Sequence, residues 1–346
     1  MPSFFRKNLI GVDIGSCSIK VVKFRGGEGK YELDAATYIK TPPHSEGGKE
    51  IAGIIGDLVR SKRVRGGSFA ISLPGSRVTI RHLNLPVMPA KDLKEAVAWE
   101  MRKETNLPSE ELLSDFMLLD EIQQPEGSRY SIIAFGARRE EVGNLLNLFE
   151  GVPGEVIAVD VTPLALLASF DMNTQWEKAV NYAVIDIGGM STTLAILKDK
   201  KMRFTREIMV GGREMTLAIA HERGLGEDEA EADKIEFGLS HDNGNGERKT
   251  REFLLPVVDR LTNEINLSFD YYQAQFREGV IGKIFISGGS SLLKGLDDYL
   301  SSAFNVPCFV DDPLRGVEVP KRLDAAAIRR YAPAFSVAVG LATRRG

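Results

Sequence analysis

The chain has 346 residues, 43% of them hydrophobic and 27% charged, which is typical of a folded globular protein and excludes collagen, coiled coils and disordered chains. Lys and Arg number 44 and Asp and Glu 48, so the net charge of -4 provides no overall attraction for nucleic acid. The low cysteine count (Cys17 and Cys308) and the lack of any run of 18 apolar residues predict a reducing, cytoplasmic compartment and no membrane span.

A short motif occurs twice, half a chain length apart. Residues 12–18 (VDIGSCS) have a counterpart at residues 185–191 (IDIGGMS). In each copy a glycine turn joins two apolar, strand-like runs, and a third strand-like run follows at residues 31–38 and 203–210. We interpret the repeat as two similar lobes, each built on its own sheet. Two unrelated hairpins that share the turn by chance are the alternative.

Helical and strand patterns alternate between the two copies. We predict helices where apolar residues recur at three- and four-residue spacing, and strands where they alternate with polar residues. The predicted helices cover residues 49–61, 90–104 and 139–149, and the predicted strands cover residues 68–73, 77–83, 116–122 and 130–136. Residues 83–150 are therefore expected to form an inserted α/β subdomain of about two helices and three strands.

After the second motif the pattern is mainly helical. The predicted helices cover residues 215–223, 227–238, 252–276, 291–304 and 335–344. A buried strand is predicted over residues 284–287, directly before Gly288 and Gly289. The polar, glycine-rich stretch 241–251 (HDNGNGERKTR) has no apolar anchor, so we expect a surface loop there.

The repeated DIG turns indicate a phosphate site. Glycine lets the backbone approach a ligand without a Cβ atom in the way, and successive N–H groups in a turn form an anion-binding concavity. A carboxylate cannot bind phosphate directly, but Asp13 and Asp186 could hold a hydrated Mg²⁺ ion that keeps several of its waters. Two such turns facing each other across a cleft would clamp a polyphosphate and its metal.

Other chemical motifs are missing. The sequence contains neither the P-loop pattern nor a G-x-G-x-x-G pattern after a strand, and its four histidines have no metal-ligand spacing. Cys17 lies inside the first turn, where we interpret it as a small apolar filler rather than a reactive thiol.

The two DIG hairpins, followed by residues 288–296 (GGSSLLKGL) after a buried strand, resemble the actin-like ATPase superfamily. The resemblance implies an α/β, actin-like (ribonuclease H-like) two-lobed fold that binds ATP and Mg²⁺ between its lobes. The resemblance implies three groups of ligand residues. The phosphates would be held by Asp13, Gly15, Ser16, Cys17, Ser18 and Lys20 of the first turn and by Asp186, Gly188, Gly189, Met190, Ser191 and Thr192 of the second turn. The adenosine would be covered by Gly288, Gly289, Ser290 and Leu293.

Residues 229–234 (EAEADK) resemble the A-E-x-x-K helix of the same superfamily, which implies that Glu231 and Lys234 contact the ribose and adenine. Their three-residue spacing places both on one helix face, and a surface ion pair is the alternative. Residues 333–342 (PAFSVAVGLA) resemble the closing helix of the fold, where small residues line the hinge between the lobes.

The insertion resembles that of the FtsA/PilM branch. Residues 73–85, 93–104, 115–119 and 158–166 are similar to PilM, and the sequence ends without the amphipathic tail of FtsA or the membrane span of GspL. The expected division is a first lobe of residues 1–82, 151–180 and 331–346, an inserted subdomain of 83–150, a second lobe of 181–222 and 252–330, and a small helical subdomain of 223–251.

Membership in the PilM branch implies an ATP-binding cytoplasmic component of type IV pilus assembly. Such proteins dock the cytoplasmic N-terminal peptide of the inner-membrane protein PilN in a groove between the first lobe and the inserted subdomain. The resemblance also implies peripheral association with the inner membrane through this partner, contacts with pilus motor ATPases and the platform protein, and a homo-oligomeric ring.

Hydrolysis of ATP is expected to be slow or absent. Residues 160–168 offer Asp160 and Thr162 but no Gln or His to orient the attacking water. The alternatives on the same fold are a sugar or small-metabolite kinase, with Asp160 as its catalytic base, and an actin-like filament protein.

Overall fold

In the computed structural model, the described residues are 9–27, 30–41, 48–60, 64, 66–125, 127–239 and 245–344. The strands are β1 (Leu9–Ile14), β2 (Ser18–Gly27), β3 (Lys30–Lys40), β4 (Ser68–Leu73), β5 (Val78–Pro86), β6 (Leu112–Gln124), β7 (Gly127–Arg138), β8 (Val156–Val161), β9 (Asn181–Ile187), β10 (Thr192–Lys198), β11 (Lys201–Ile208), β12 (Ile281–Ser287) and β13 (Cys308–Val310).

The helices flank three sheets. They are α1 (Gly48–Arg60), α2 (Ala90–Thr105), α3 (Arg139–Asn147), α4 (Thr162–Asn173), α5 (Gly212–Arg223), α6 (Glu227–Phe237), α7 (Asn245–Phe276), α8 (Leu296–Phe304), α9 (Ala325–Arg330) and α10 (Ser336–Thr343). None of the helices within the described ranges is long and apolar enough to cross a bilayer.

Two of the sheets have the same plan. One has the strand order β3-β2-β1-β4-β8 and the other β11-β10-β9-β12-β13. In each, the first three strands are antiparallel and the last two continue in parallel with the third. The repeated hairpins thus begin two sheets of matching topology, as the sequence motif predicts.

The inserted subdomain is a third sheet, in the order β5-β7-β6, with α2 packed against it. Leu93, Val97 and Met101 form the buried stripe of α2, at four-residue spacing. Strand β5 starts at Val78, so the expected subdomain boundary at residue 83 falls inside a strand that pairs with β7 along its length.

Two predicted elements differ from the structure. The helix predicted over residues 291–304 is interrupted: a 3₁₀ turn ends at Leu292, and α8 begins only at Leu296. Gly295 takes a φ of 77°, a left-handed conformation that breaks helix continuity and that glycine adopts at little cost. The helix α10, predicted over residues 335–344, begins at Ser336 after a separate 3₁₀ turn.

The loop predicted over residues 241–251 is also wrong from Asn245 onward, because α7 begins there. Residues 241–244 lie outside the described residues. Helix formers such as Glu247, Arg248 and Lys249 extend the amphipathic helix toward its N-terminus without needing an apolar face. Polarity alone therefore did not distinguish a loop from an exposed helical turn.

One apolar cluster joins all three parts of the molecule. Ala165 and Phe170 of α4 and Leu341 of α10 pack in it with Phe135 of the inserted sheet and Val184 of the second lobe. Because this cluster contains residues from each sheet, the inserted subdomain rests on both lobes.

Polar contacts reinforce the contact between the inserted subdomain and the second lobe. Arg203 of β11 forms ion pairs with Asp120 of β6 and with Glu278, and Lys201 Nζ lies 3.2 Å from Asp120 Oδ1. The hydroxyl of Tyr272 donates to Glu278 Oε2 at 2.8 Å. Burial acts to raise the pKa of Asp120, but the hydrogen bonds and charges of Arg203 and Lys201 outweigh it and lower that pKa. The network is arranged to keep both carboxylates ionised.

His82 of β5 lies in the same contact region. Its ring stacks on Phe204 at 5.4 Å and meets Phe276 edge-on at 5.4 Å. Neither ring nitrogen has a hydrogen-bond partner among the described residues. Burial therefore lowers the pKa of His82 to about 4, which favours the neutral ring.

Helix α10 packs directly on the first lobe through glycines. A Cβ atom at Gly11 of β1 would overlap the carbonyl oxygen of Ala338, and one at Gly340 would overlap the carbonyl oxygen of Ala165 in α4. The backbones of α10, β1 and α4 are therefore in contact without intervening side chains.

We expect Gly340→Ala to destabilise the fold by about 1–3 kcal/mol, because the added methyl group forces α10 away from α4. Gly53→Ala is the control: it lies on the exposed side of α1 with nothing within 4 Å of the new Cβ, and we expect a gain of up to about 1 kcal/mol. Urea unfolding measures both. Equal stability of the two variants would contradict the close packing.

We expect stability to depend on pH through His82. Between pH 6.5 and about 4 the unfolded chain binds a proton that the folded chain excludes, so stability falls as the pH falls, by at most roughly 3 kcal/mol. His82→Phe keeps an aromatic ring and removes the titration, so its loss of stability between pH 7 and pH 5 in urea unfolding should be smaller than that of the unchanged protein. His221→Gln, at an exposed histidine, should behave as the unchanged protein does.

Candidate functional site

The two DIG turns have the same geometry. In the first, the N–H of Gly15 donates to the carbonyl of Ser18 at 3.0 Å, and in the second the N–H of Gly188 donates to the carbonyl of Ser191 at 3.0 Å. The flanking strands also correspond, because Ile14 pairs with Ile19 and Ile187 pairs with Thr192. The repeat in sequence is therefore a repeat in backbone structure.

The two turns lie against each other. A Cβ atom at Gly189 would overlap Cys17 Sγ and would lie 2.8 Å from Ser16 Oγ. The glycine of the second turn thus leaves the space that the first turn's side chains fill. This contact places both phosphate-binding candidates at one point between the lobes.

The two aspartates of the turns share one electrostatic environment. Lys20 Nζ lies 3.0 Å from Asp13 Oδ2, and Ser287 Oγ donates to Asp186 Oδ1 at 3.0 Å. Burial and then the charge of Asp13 raise the pKa of Asp186 to about 7, although Lys20 and Ser287 oppose the shift. Burial alone would lower the pKa of Lys20, but the charges of Asp13 and Asp186 raise it above its usual value.

This environment fits a hydrated divalent cation. The pKa of Asp186 is raised first by burial and then by the charge of Asp13, and Lys20 is the nearby ammonium group that opposes the shift. A cation beside both carboxylates would remove the repulsion between them. Within the described ranges, no group of three or more His, Cys, Asp or Glu is arranged to hold a metal. Asp13 and Asp186 are the residues that would hold a hydrated Mg²⁺ ion, and this assignment stays a prediction.

The glycine segment after β12 joins the same cleft. Ser290 Oγ donates to the carbonyl of Gly188 at 3.2 Å, and the N–H of Gly288 donates to the carbonyl of Pro333 at 2.9 Å. Gly289 has open space beside it, with nothing within 4 Å of a Cβ position. Leu293 is different: its side chain packs in the core of the second lobe, so it does not face a ligand.

Lys234 is neither a surface ion-pair residue nor a free ligand group. Its side chain is 8% exposed, and its Nζ lies 2.6 Å from Glu231 Oε2, 2.8 Å from Thr216 Oγ1 and 3.0 Å from the carbonyl of Gly212. The ammonium group therefore holds the first turn of α5. Glu231 is more exposed and accepts a hydrogen bond from Thr216, so of the two it is better placed to meet a ribose.

The second turn has a clear division of roles. The hydroxyl of Thr192 is fully buried and donates to the carbonyl of Val210 at 2.7 Å, so it stabilises the hairpin. Met190 is 51% exposed at the tip of the turn. Ser191 donates to Glu207, a residue that the sequence analysis did not select.

Asp160 does not join this group. Its carboxylate lies 2.8 Å from Arg344 Nε and accepts from the N–H of Val161 at 2.8 Å. Burial raises its pKa, while Arg344 acts in the opposite direction. It lines a separate cavity of about 630 Å³ together with Lys200 and Arg315. A carboxylate occupied by an arginine is a poor catalytic base.

The sequence analysis missed several cleft residues. Gly211 and Gly212 follow β11 and leave room for the second turn: a Cβ at Gly211 would lie 2.5 Å from the carbonyl of Gly189, and one at Gly212 would overlap Ser290 Oγ. The N–H of Arg213 donates to the carbonyl of Gly189 at 2.8 Å. The Gly-Gly pair directly after a strand was the available signal.

Comparison with known proteins defines the class of this fold. MreB5 of Spiroplasma citri, solved with AMPPNP, superimposes with a TM-score of 0.53 over 96% of this chain and 94% of its own, at 14% identity. The cell division protein FtsA of Enterococcus hirae is 24% identical over 387 residues, covering 96% of this chain and 85% of FtsA. The fold is that of the actin-like ATPases.

The particular branch is also identified. Residues 11–346 match the family of the type IV pilus assembly protein PilM. A solved PilM-PilN type IV pilus biogenesis complex superimposes with a TM-score of 0.87 at 27% identity, over 98% of this chain and 100% of the other. The chain belongs to the PilM family.

Proposed function

We propose that this chain is a nucleotide-binding component of type IV pilus assembly that docks the cytoplasmic N-terminal peptide of a PilN-type inner-membrane protein. The observation that carries the proposal is the whole-chain superposition on the PilM-PilN complex, at a TM-score of 0.87. Membership in the PilM family supports the same role.

ATP with Mg²⁺ is the proposed ligand of the cleft. Support comes from the contact between the two glycine turns, in which Gly189 of the second turn lies against Ser16 and Cys17 of the first. When bound, the metal of the nucleotide would supply positive charge to Asp13 and Asp186, and the turns would surround its phosphates. A ligand held by both lobes favours their closed arrangement only through its higher affinity for it.

The peptide is proposed to lie between the first lobe and the inserted subdomain. Strand β8 is an outer strand of the first sheet, and its Ala158 belongs to the same apolar cluster as Met117 and Phe135 of the inserted sheet. Ile157 of β8 is 38% exposed, an apolar side chain available to a partner. An extended peptide can pair with such an edge and place side chains in pockets beside it.

A kinase is less well supported, because Asp160 is bound to Arg344 and is not free to act as a base. No particular contact favours a filament. Slow or absent hydrolysis, peripheral association with the inner membrane through the partner, a ring of copies, and contacts with motor ATPases and the platform protein are parts of the same proposal.

We expect Asp13→Ala to weaken MgATP binding by roughly tenfold or more, because Lys20 loses its partner and the metal loses one carboxylate. Isothermal titration calorimetry with MgATP measures the effect, and peptide binding should weaken with it. Asp57→Ala, at an exposed position on α1, is the control and should bind as the unchanged protein does. Normal MgATP binding by the Asp13 variant would refute the assigned role.

We expect Ile157→Glu to weaken peptide binding by roughly tenfold, because a charge replaces an apolar contact at the groove. The probe is a synthetic peptide of the N-terminal cytoplasmic segment of the PilN-type protein from the same organism, measured by fluorescence anisotropy. Val280→Glu changes a more exposed apolar residue of the second lobe and should leave the affinity unaltered. Equal affinities of the two variants would place the peptide elsewhere.

A further inference from the structure

Glu207 of β11 carries a half-buried carboxylate beside the cleft. Asp186 pairs with Ser287 on one side and with Thr193 on the other. Thr193 in turn pairs with Glu207. Directly paired residues of neighbouring strands point to the same face of a sheet, so Glu207 shares the cleft face with Asp186.

Both oxygens of this carboxylate bind the second phosphate turn or the residue just after it. Ser191 Oγ donates to Oε1 of Glu207, and Thr193 Oγ1 donates to Oε2 at 2.8 Å. A hydroxyl group has one proton, so Ser191 can donate either to Glu207 or to a phosphate oxygen, but not to both at once. The bond to Glu207 therefore competes with the ligand for the Ser191 hydroxyl.

Keeping the Glu207 carboxylate in this position costs folding free energy. Burial raises the pKa of Glu207, and only the two hydroxyls act in the opposite direction. No lysine or arginine within the described ranges forms an ion pair with it. Its charge also adds to the raised pKa of Asp186. A buried carboxylate without a cation is destabilising, and its two hydrogen bonds offset only part of that cost.

Glu207 also contacts the first lobe. A Cβ atom at Gly75 would overlap both oxygens of the Glu207 side chain. Gly75 is buried and begins a 3₁₀ turn that ends at Arg77, and β5 of the inserted subdomain starts at the next residue. The carboxylate thus spans from the second phosphate turn to the segment that leads into the inserted subdomain.

We propose that Glu207 is a positioning residue: it orients the Ser191 and Thr193 hydroxyls and couples occupancy of the phosphate turn to the Gly75 segment, which leads from the first lobe into the inserted subdomain. The inference rests on the proposed nucleotide and peptide binding. When a phosphate takes the Ser191 hydroxyl, the carboxylate loses one of its two bonds and its contact with Gly75 changes. The affinity for the peptide then depends on MgATP, and by linkage the affinity for MgATP depends equally on the peptide.

The test uses the full chain and three variants: Glu207→Ala, Glu207→Gln and Glu264→Gln. The last changes a glutamate on α7 that pairs with Arg206 outside the cleft. For each, calorimetry gives the affinity for MgATP, and anisotropy gives the affinity for the synthetic PilN-type peptide without and with saturating MgATP. The ratio of the two peptide affinities measures the coupling.

Glu207→Ala frees the Ser191 hydroxyl for the phosphate, so it should tighten MgATP binding at least tenfold and bring the coupling ratio to one, while peptide affinity without nucleotide stays unchanged. Glu207→Gln can still accept from Ser191 and donate to Thr193, so it should keep the MgATP affinity and the coupling close to those of the unchanged protein. Glu264→Gln should match the unchanged protein. If Glu207→Gln behaved as Glu207→Ala does, the positioning role would be overturned, because the effect would be assigned to the charge.

Gly75→Ala provides a second route if Glu207→Ala does not fold. It leaves Glu207 in place but pushes its carboxylate away from Ser191, and we expect MgATP to bind about fivefold more tightly although the change lies in the other lobe. Gly143→Ala, with nothing within 4 Å of its new Cβ, is the matched control. Unaltered MgATP binding in Gly75→Ala, or a coupling ratio of one in the unchanged protein, would overturn the coupling. No MgATP binding by the unchanged protein would instead refute the proposed function itself.

Discussion

The cleft depends on the close approach of two backbone turns from opposite halves of the chain. Gly189 allows it, because any side chain there would occupy the position of Cys17. Each turn on its own is a short glycine hairpin. Their contact brings Asp13, Asp186 and Lys20 together between the lobes. The main role of each lobe's sheet is then to position its glycine turn at this contact.

The charges in the cleft follow from that approach. Burial is the main cause of the raised pKa of Asp186, and the nearby charge of Asp13 adds to it. Lys20 offsets part of the repulsion through its ion pair with Asp13. A bound divalent cation would favour the ionised form of Asp186, so a polyphosphate with its metal is the kind of ligand that suits these charges.

Local chemistry made part of this structure predictable. Strand pairing beside Ile14 and Ile187 follows from apolar runs joined by glycine turns, so the repeat predicts both sheets and the position of both turns. Contacts between distant segments were not predictable in this way. The sequence does not tell which face of β10 lies toward the cleft, so it does not distinguish Thr193, which binds Glu207, from Thr192, which binds a backbone carbonyl. The contact between Glu207 and Gly75 depends on how the two lobes pack together, which the sequence pattern does not give.

Burial caused the remaining differences. Lys234 was expected to meet a ligand or solvent, but its ammonium group is enclosed by Glu231, Thr216 and a backbone carbonyl. Leu293 was expected over adenosine, but it completes an apolar core. A motif match by residue type does not distinguish residues that contact a ligand from residues that hold those residues in place, because both kinds lie in the same short segment.

The glycine contacts of α10 have a mechanical consequence. Because Gly11 and Gly340 bring the backbone of α10 into direct contact with β1 and α4, the helix has no space in which to tilt, and we expect it to move together with the first lobe. Its lead-in turn is nevertheless bonded to the other lobe, through Pro333 and Gly288. If one lobe moved relative to the other, the residues around Pro333 would have to accommodate the change, because they join the first-lobe helix to the backbone of the second lobe.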